Sequence, residues 1–225
     1  MRSVLVRLEG PLQAWGTQGR YSIRETDSEP SKSGVLGLVG CALGITRDDA
    51  QQLERLRQLR MAVRVDRPGR ALRDLHTVGA GTFRGRPHGM WGLRDKTVVT
   101  QRYYLVDAAF TVALAHADHG LVEQIAQALA DPVWPLFLGR RSCVPSEPVL
   151  LGLVEGGPEE TLLRAPLARG AANRLRVVAD VAPGEVGTQR ADDPVSFSSG
   201  DRHFAFRNVR ENWIEVATRE VEPSP

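Results

Sequence analysis

The segment Pro30-Ser-Lys-Ser-Gly-Val-Leu-Gly-Leu-Val-Gly-Cys-Ala-Leu-Gly44 constrains the fold most, because it runs from a polar, basic turn into an uncharged helix studded with glycine. At about 100° per residue, Gly34, Gly37, Gly40, Cys41 and Gly44 share one face, while Val35, Leu36, Leu38, Val39 and Leu43 cover the rest. A mid-helix glycine costs about 1 kcal/mol relative to alanine, so the bare face must serve a close approach, expected here to be packing against a sheet. The helix start admits two interpretations. Lys32 and the hydroxyls of Ser31 and Ser33 beside free helix N–H groups suit a phosphate, and a serine N-cap on a buried helix accounts for the same residues. A P-loop is excluded, since Ser31 rather than glycine precedes Lys32.

A chain of 225 residues with 42% hydrophobic content supports one sizeable domain with an ordinary core. Of its 29 basic residues only Lys32 and Lys96 are lysines. Arginine suits bidentate phosphate contacts and stacking on bases, but a GC-rich genome gives the same bias, so spatial clustering has to decide. Cys41 and Cys143 are too few for a disulfide framework or a zinc site, and the five histidines are scattered. No metal or other cofactor is expected. Charge interrupts the N-terminal apolar run too early for a signal peptide, and Val35 to Ile45 is too short to span a membrane. A cytoplasmic protein without a membrane partner is expected.

Taken in order, Ser3 to Leu8 predicts a strand with one fully buried face, followed by a long polar loop to Glu29 that carries Arg20, Tyr21, Arg24 and Thr26. After the glycine helix, Thr46 begins a second helix containing Leu53, Leu56 and Leu59. Met61 to Asp66 and Ala71 to Val78 predict strands joined by a turn at Arg67-Pro-Gly-Arg70. The segment from Gly79 to Thr97 combines five glycines with Phe83, Trp91, Arg84, Arg86, Arg94 and Lys96. Such a composition fits either a single-strand nucleic-acid contact or a surface loop. Val98 to Val106 and Phe110 to Leu114 are further strands, and Asp118 caps a helix that ends before Pro132.

Beyond it, Trp134 to Leu138 reads as a buried strand that turns at Gly139 into Arg140, Arg141 and Ser142. Val149 to Val154 is strand-like, Glu159 to Leu163 is a short helix, and Leu175 to Val181 and Phe204 to Val209 are strands. Gly184 to Arg202 is polar and reads as loop. The order β-α-β-β-α, closed by a later strand, predicts an α+β fold of the ferredoxin-like, split βαβ kind, whose sheet also serves as an RNA-binding scaffold. The expected organisation is an RNA-recognition-like unit over 1–155 with an insertion near 79–97, and an irregular, β-rich extension over 156–225 packed on it as one structural unit.

With Leu12-Gln-Ala-Trp-Gly16, Pro30-Ser-Lys-Ser-Gly-Val-Leu-Gly-Leu38, Leu43-Gly-Ile-Thr-Arg-Asp-Asp49, Asp74-Leu-His-Thr-Val78, Tyr104-Leu-Val-Asp-Ala-Ala-Phe-Thr-Val112 and Phe137-Leu-Gly-Arg-Arg-Ser-Cys143 in this order, the chain resembles the CasD family. These are the type I-E members of the fifth Cas protein family, in the RAMP superfamily. The resemblance runs from Met1 to about Leu153.

It implies a non-catalytic subunit of Cascade, the CRISPR RNA-guided surveillance complex. Such a subunit binds the repeat-derived 5′ handle of the crRNA, caps the CasC backbone, adjoins the large CasA subunit and reaches target DNA through the assembled complex. The Gly79–Thr97 insertion becomes the projecting thumb, with Arg84, Arg86 and Trp91 toward RNA. Arg24, Thr26, Ser31, Lys32 and Ser33 line the handle's path, and Gly139, Arg140, Arg141 and Ser142 form a second contact. The alternative is a repeat-RNA endoribonuclease, as in the type I-C branch. Such chemistry needs a base for the 2′-OH, an acid for the leaving oxygen and a cation, and nothing in the spacing of Tyr21, Lys32 and His76 brings them together.

Overall fold

A computed structural model describes residues 1–17, 19–20, 22–78, 81–83, 86–88, 98–182 and 184–215, with the backbone alone at 19–20, 78, 81–83, 86–88 and 98. In chain order the elements are β1 (Arg2–Glu9), β2 (Leu12–Gln13), β3 (Gly19–Arg20), β4 (Ile23–Arg24), α1 (Lys32–Leu43), α2 (Ala50–Arg57), β5 (Arg60–Arg67), β6 (Arg70–Val78), β7 (Gly81–Phe83), β8 (Arg86–His88) and β9 (Val98–Val106). They continue with β10 (Ala109–His116), α3 (His119–Ala130), β11 (Leu150–Glu155), α4 (Pro158–Arg164), β12 (Arg174–Asp180), β13 (Thr188–Ser196) and β14 (His203–Glu215).

The apolar runs pair into a seven-stranded antiparallel sheet of order β11-β1-β10-β5-β12-β14-β13. Its first four strands are joined by two crossovers, β1 to β5 through α1 and α2, and β10 to β11 through α3. Local signals set the helix ends. Asp49 and Asp118 accept the N–H groups of Gln52 and Leu121, and Gly44 closes α1 at φ 70°. On one sheet face Val4, Val6, Leu8, Val112 and Leu114 join Val35, Leu36 and Val39 of α1 and Leu121 and Ile125 of α3 in the main core.

The opposite face is also covered, which corrects two expectations. Leu5, Ala62, Ala113 and Val177 pack with Leu162 and Ala165 of the α4 region, so β1 is buried on both sides. Arg64, 1% exposed, fixes this layer. Its Nε donates to Asp66 Oδ1 (2.6 Å), and its Nη1 donates to the Ala165 carbonyl (3.0 Å). Asp66 Oδ2 accepts from Thr111 Oγ1 (2.9 Å) and from the Ala168 amide (3.0 Å). An RNA strand therefore finds no open sheet face over these strands.

The paired strands β5 and β10 continue past a bend as β6 and β9, registered from Arg70↔Val106 to Val78↔Val98. At the bend Gly69 and Asp107 both adopt positive φ (71° and 57°), and a Cβ on Gly69 would stand 2.6 Å from the Val106 carbonyl. Within the expected thumb, 79–97, the described residues are β7 and β8, which pair with each other. Arg84 and Trp91 fall outside the described residues, and Arg86 is described in its backbone only.

Two further expectations change. Trp134 to Leu138 is irregular rather than a strand, since Pro135 interrupts it and the amides of Val133 and Trp134 bond to the carbonyls of Ala42 and Cys41 at the end of α1. The polar stretch expected as loop contains β13, an edge strand that tolerates Pro194. Residues 156–215 add β12, β14 and β13 to the β5 edge of the same sheet. Among the described residues no helix is long and apolar enough to cross a membrane.

Candidate nucleic-acid interface

The start of α1 is closed from within the chain. Ser31 Oγ accepts the Gly34 amide (3.2 Å), and Asp192 Oδ2, on β13, accepts the Lys32 amide (2.8 Å). The Lys32 ammonium is buried, 3.7 Å from Asp180 Oδ2 and 3.6 Å from Asp193 Oδ1. Arg207 binds Asp192 through Nε (2.6 Å) and also reaches Asp180, while Arg57 holds Asp193 at 2.7 Å. Burial works to raise the Asp192 pKa, but hydrogen bonds and charge from Arg207 hold it below the usual carboxylate range. Three cations thus face three carboxylates. Where the sequence suggests a phosphate at Lys32, the structure has the carboxylate of Asp192, 160 residues away, and the N-cap interpretation of Ser31 is the one realised.

The glycine face of α1 also differs from expectation. A Cβ on Gly34 would lie 2.8 Å from the Trp15 ring, so that glycine does serve packing. At Gly37 and Gly40, however, a Cβ would meet nothing closer than 3.9 Å, the neighbours being Phe197 and Ile45. These two line an open cavity of about 830 Å³ instead of the sheet, together with Cys41, Trp134, Phe137 and Phe197. Arg47, Arg141 and Arg202 stand around it. A second cavity of about 410 Å³ adjoins it, sharing Ser33, Gly34, Gly139 and Arg202 and adding Arg24, Arg140 and Phe204.

Backbone contact between two distant loops shapes this groove. The Ala14 amide donates to the Leu138 carbonyl (3.0 Å), and Gly139, at φ 91°, sits so close to Ala14 that a Cβ would lie 1.8 Å from its carbonyl oxygen. Arg140 is a clamp. Its Nη1 donates to the Tyr103 carbonyl and its Nη2 to the Arg24 carbonyl, both at 2.9 Å, while the guanidinium lies 4.5 Å from the Tyr104 ring centroid. Thr26 is internal too, its Oγ1 accepting the Trp15 amide (2.9 Å) and donating to the Asp27 carbonyl (3.1 Å). Ser33 reaches the groove but is buried, and Ser142 is exposed beside it.

Exposed Arg24, Arg47, Arg141 and Arg202 form no ion pair among the described residues. Partial burial, then repulsion from Arg47 and Arg24, lower the Arg202 pKa. Among the described residues only Glu25 contributes a carboxylate to the lining of the groove. Arg47, Arg202, Trp134, Phe137, Phe197 and Phe204 were not among the expected site residues. The Gly-Ile-Thr-Arg sequence ending the glycine helix marks the first; the remainder come from segments distant in the chain that only the tertiary fold assembles. No group of three His, Cys, Asp or Glu among the described residues is arranged to hold a metal.

This constellation can be set against known proteins. Residues 3–210 match the family model described as CRISPR-associated protein (Cas_Cas5). The chain belongs to the Cas5 family. It is 39% identical over 177 residues to the CRISPR system Cascade subunit CasD of Escherichia coli (strain K12), which covers 72% of this chain and 77% of that protein. A solved chain described as a CRISPR RNA-guided surveillance complex superposes with a TM-score of 0.79 at 34% identity, covering 95% of this chain and 90% of the other. A second, described as the crystal structure of a Cas protein, gives 0.71 at 36% identity with 95% of each chain covered. The mixed α+β, largely antiparallel architecture is therefore that of Cas5 structures.

Proposed function

We propose that this Cas5-family chain is a non-catalytic subunit of a Cascade-type CRISPR surveillance complex and that its groove holds the repeat-derived 5′ handle of the crRNA. The carrying observation is the set of four arginines, Arg24, Arg47, Arg141 and Arg202, gathered around one groove without carboxylate partners among the described residues. Guanidiniums so placed take phosphate oxygens, and the neighbouring aromatics take the faces of splayed bases. On this reading the strands β11-β1-β10-β5 form a ferredoxin-like, RNA-recognition-like platform turned to structural use, because α4 occupies its outer face. The ribbon β6–β9 carries the thumb toward the CasC backbone, which the subunit caps beside CasA; target DNA is engaged through the whole complex. Arg84, Arg86 and Trp91 belong to the thumb's part of this proposal.

The endoribonuclease alternative loses its cation, since Lys32 is buried between aspartates, while His76 sits on the ribbon 2.6 Å from Asp74. For a single strand each neutralised phosphate contributes about −0.7 to the salt slope, so four arginines give a slope near −3. Handle binding measured across a salt series in the assembled complex checks this, and a flat salt response overturns the arginine assignment. Incubation with cognate repeat RNA provides the second check: RNA retained without products is expected, and site-specific cleavage contradicts a non-catalytic subunit.

A further inference from the structure

The bare side of α1 has no packing explanation at Gly37 and Gly40. An alanine Cβ would make ordinary contact at either position, and each would favour the helix by about 1 kcal/mol. The helix nonetheless keeps glycine at both positions, Gly37 half-buried and Gly40 buried, and both line the larger cavity. Trp134, 40% exposed, and the partly buried Phe137 and Phe197 stand at its sides. The guanidiniums of Arg47, Arg141 and Arg202 are at the rim. Apolar walls, a helix face that carries no side chain at Gly37 and Gly40, and a cationic rim are complementary to a flat heteroaromatic ring attached to an anionic backbone. A second protein segment fits less well, because it would need acidic side chains placed to meet three arginines, whereas every nucleotide carries a phosphate beside its ring.

Resting on the RNA-binding reading above, we infer that the Gly37–Gly40 floor seats an unstacked nucleobase between Trp134 and Phe197, while the rim arginines hold its flanking phosphates. The smaller cavity, with Arg24 and Arg202, takes the backbone onward. The floor stays bare because a ring lying on the helix needs depth that a methyl reduces and a branched side chain fills.

Cys41 supplies a direct readout. It lines the same cavity and is partly exposed, whereas Cys143 is fully buried. Burial, opposed by Arg47 and Arg141, raises the Cys41 thiol pKa, so alkylation by N-ethylmaleimide is run at alkaline pH. The full chain is labelled alone and with synthetic handle RNA, and Cys41 is quantified by peptide mass spectrometry. The same is repeated with a series of RNAs lacking one base each. Intact RNA is expected to slow Cys41 labelling at least tenfold, and removal of one base, or of two adjacent ones, to restore it.

In a parallel titration, Gly37→Leu is expected to weaken intact RNA between about fivefold and a hundredfold, the range of one stacked base, and to leave affinity for the critical abasic RNA unchanged. Gly37→Ala, a smaller intrusion on the same floor, is expected to weaken intact RNA less, and urea midpoints of each variant control for folding. Unchanged labelling of Cys41 in an RNA complex overturns the seat while leaving RNA binding intact. Protection that survives every single-base removal overturns it too, because backbone then fills the cavity. Failure of the unmodified chain to bind handle RNA overturns the underlying reading instead.

Discussion

Two groups of cations lie at the same helix and meet opposite fates. At the start of α1, Lys32, Arg57 and Arg207 are matched against Asp180, Asp192 and Asp193, with Lys32, Asp180 and Asp192 buried. Along its glycine side, Arg24, Arg47, Arg141 and Arg202 remain exposed and near enough that Arg202 registers the charge of two others. Buried charge is tolerated only when paired; a cluster without counter-charges persists where water, or an anionic partner, supplies the balance. Residue type does not separate these cases, since the most phosphate-like sequence, Ser31-Lys32-Ser33, belongs to the closed group.

The contrast is broken most severely at Asp192. Asp192→Ala takes from Arg207 one of its two carboxylate partners and leaves the Lys32 amide without its acceptor, and is expected to cost up to about 3–5 kcal/mol, read as a lower denaturant midpoint in urea unfolding. An RNA-affinity loss without that destabilisation would show that the helix start is open to ligand after all.

Acid tests the same group more gently. Asp192 and Glu29 both titrate below their ordinary values: burial opposes this, but Arg207 lowers the first, and hydrogen bonds from Ser28, Arg190 and Arg176 lower the second. Their stabilisation is complete above the unfolded carboxylate range, about pH 4 to 4.5, and is lost as pH falls through it toward the depressed folded values. Asp27, raised by burial, works in the opposite sense and gives up a penalty on protonation. Urea midpoints from pH 7 to 3 should therefore stay level and then drop below about pH 4.5; a drop centred near pH 6 would place the responsible group elsewhere.

The open group should respond in the reverse manner. The double variant Arg47→Ala, Arg202→Ala is expected to move the salt slope of RNA binding from about −3 to about −1.5, with stability altered by no more than about 0.5 kcal/mol. A stability loss as large as that of Asp192→Ala would make the two groups alike. The smallest effect expected is at Gly37→Ala, a gain of about 1 kcal/mol in unfolding free energy; a loss would return the glycine face to packing.

Much of the scaffold was legible from local chemistry. Asp118 before Leu121, Ile125 and Leu129 marks α3, Gly44 ends α1, and Arg67-Pro-Gly-Arg70 divides β5 from β6, as a bend rather than a reversing turn. What was not legible depends on distance along the chain. Nothing near Lys32 announces that Asp192 will reach it, and nothing near Arg47 announces Arg202. β13 looked like loop because a buried position there carries Asp192, whose place in the core is licensed by Arg207 rather than by apolarity. Trp134 to Leu138 looked like a strand because its apolar residues do meet the core at Leu138, but they also wall a groove. Arg140 was identified as an RNA contact from its motif, yet it spends its donors on three carbonyls of its own chain.

The closure of α1 by β13 has a consequence for biosynthesis. Lys32 leaves the ribosome 160 residues before Asp192, an interval of about 8–32 s at 5–20 residues per second. Throughout that interval the helix start lacks its aspartate seal and the groove lacks Phe197 and Arg202. A chain stopped short of β14 also lacks Arg207, which fixes Asp192. Completion of the site is thus tied to completion of the chain, and prematurely terminated products are expected to be poor competitors for guide RNA even when their amino-terminal elements have formed.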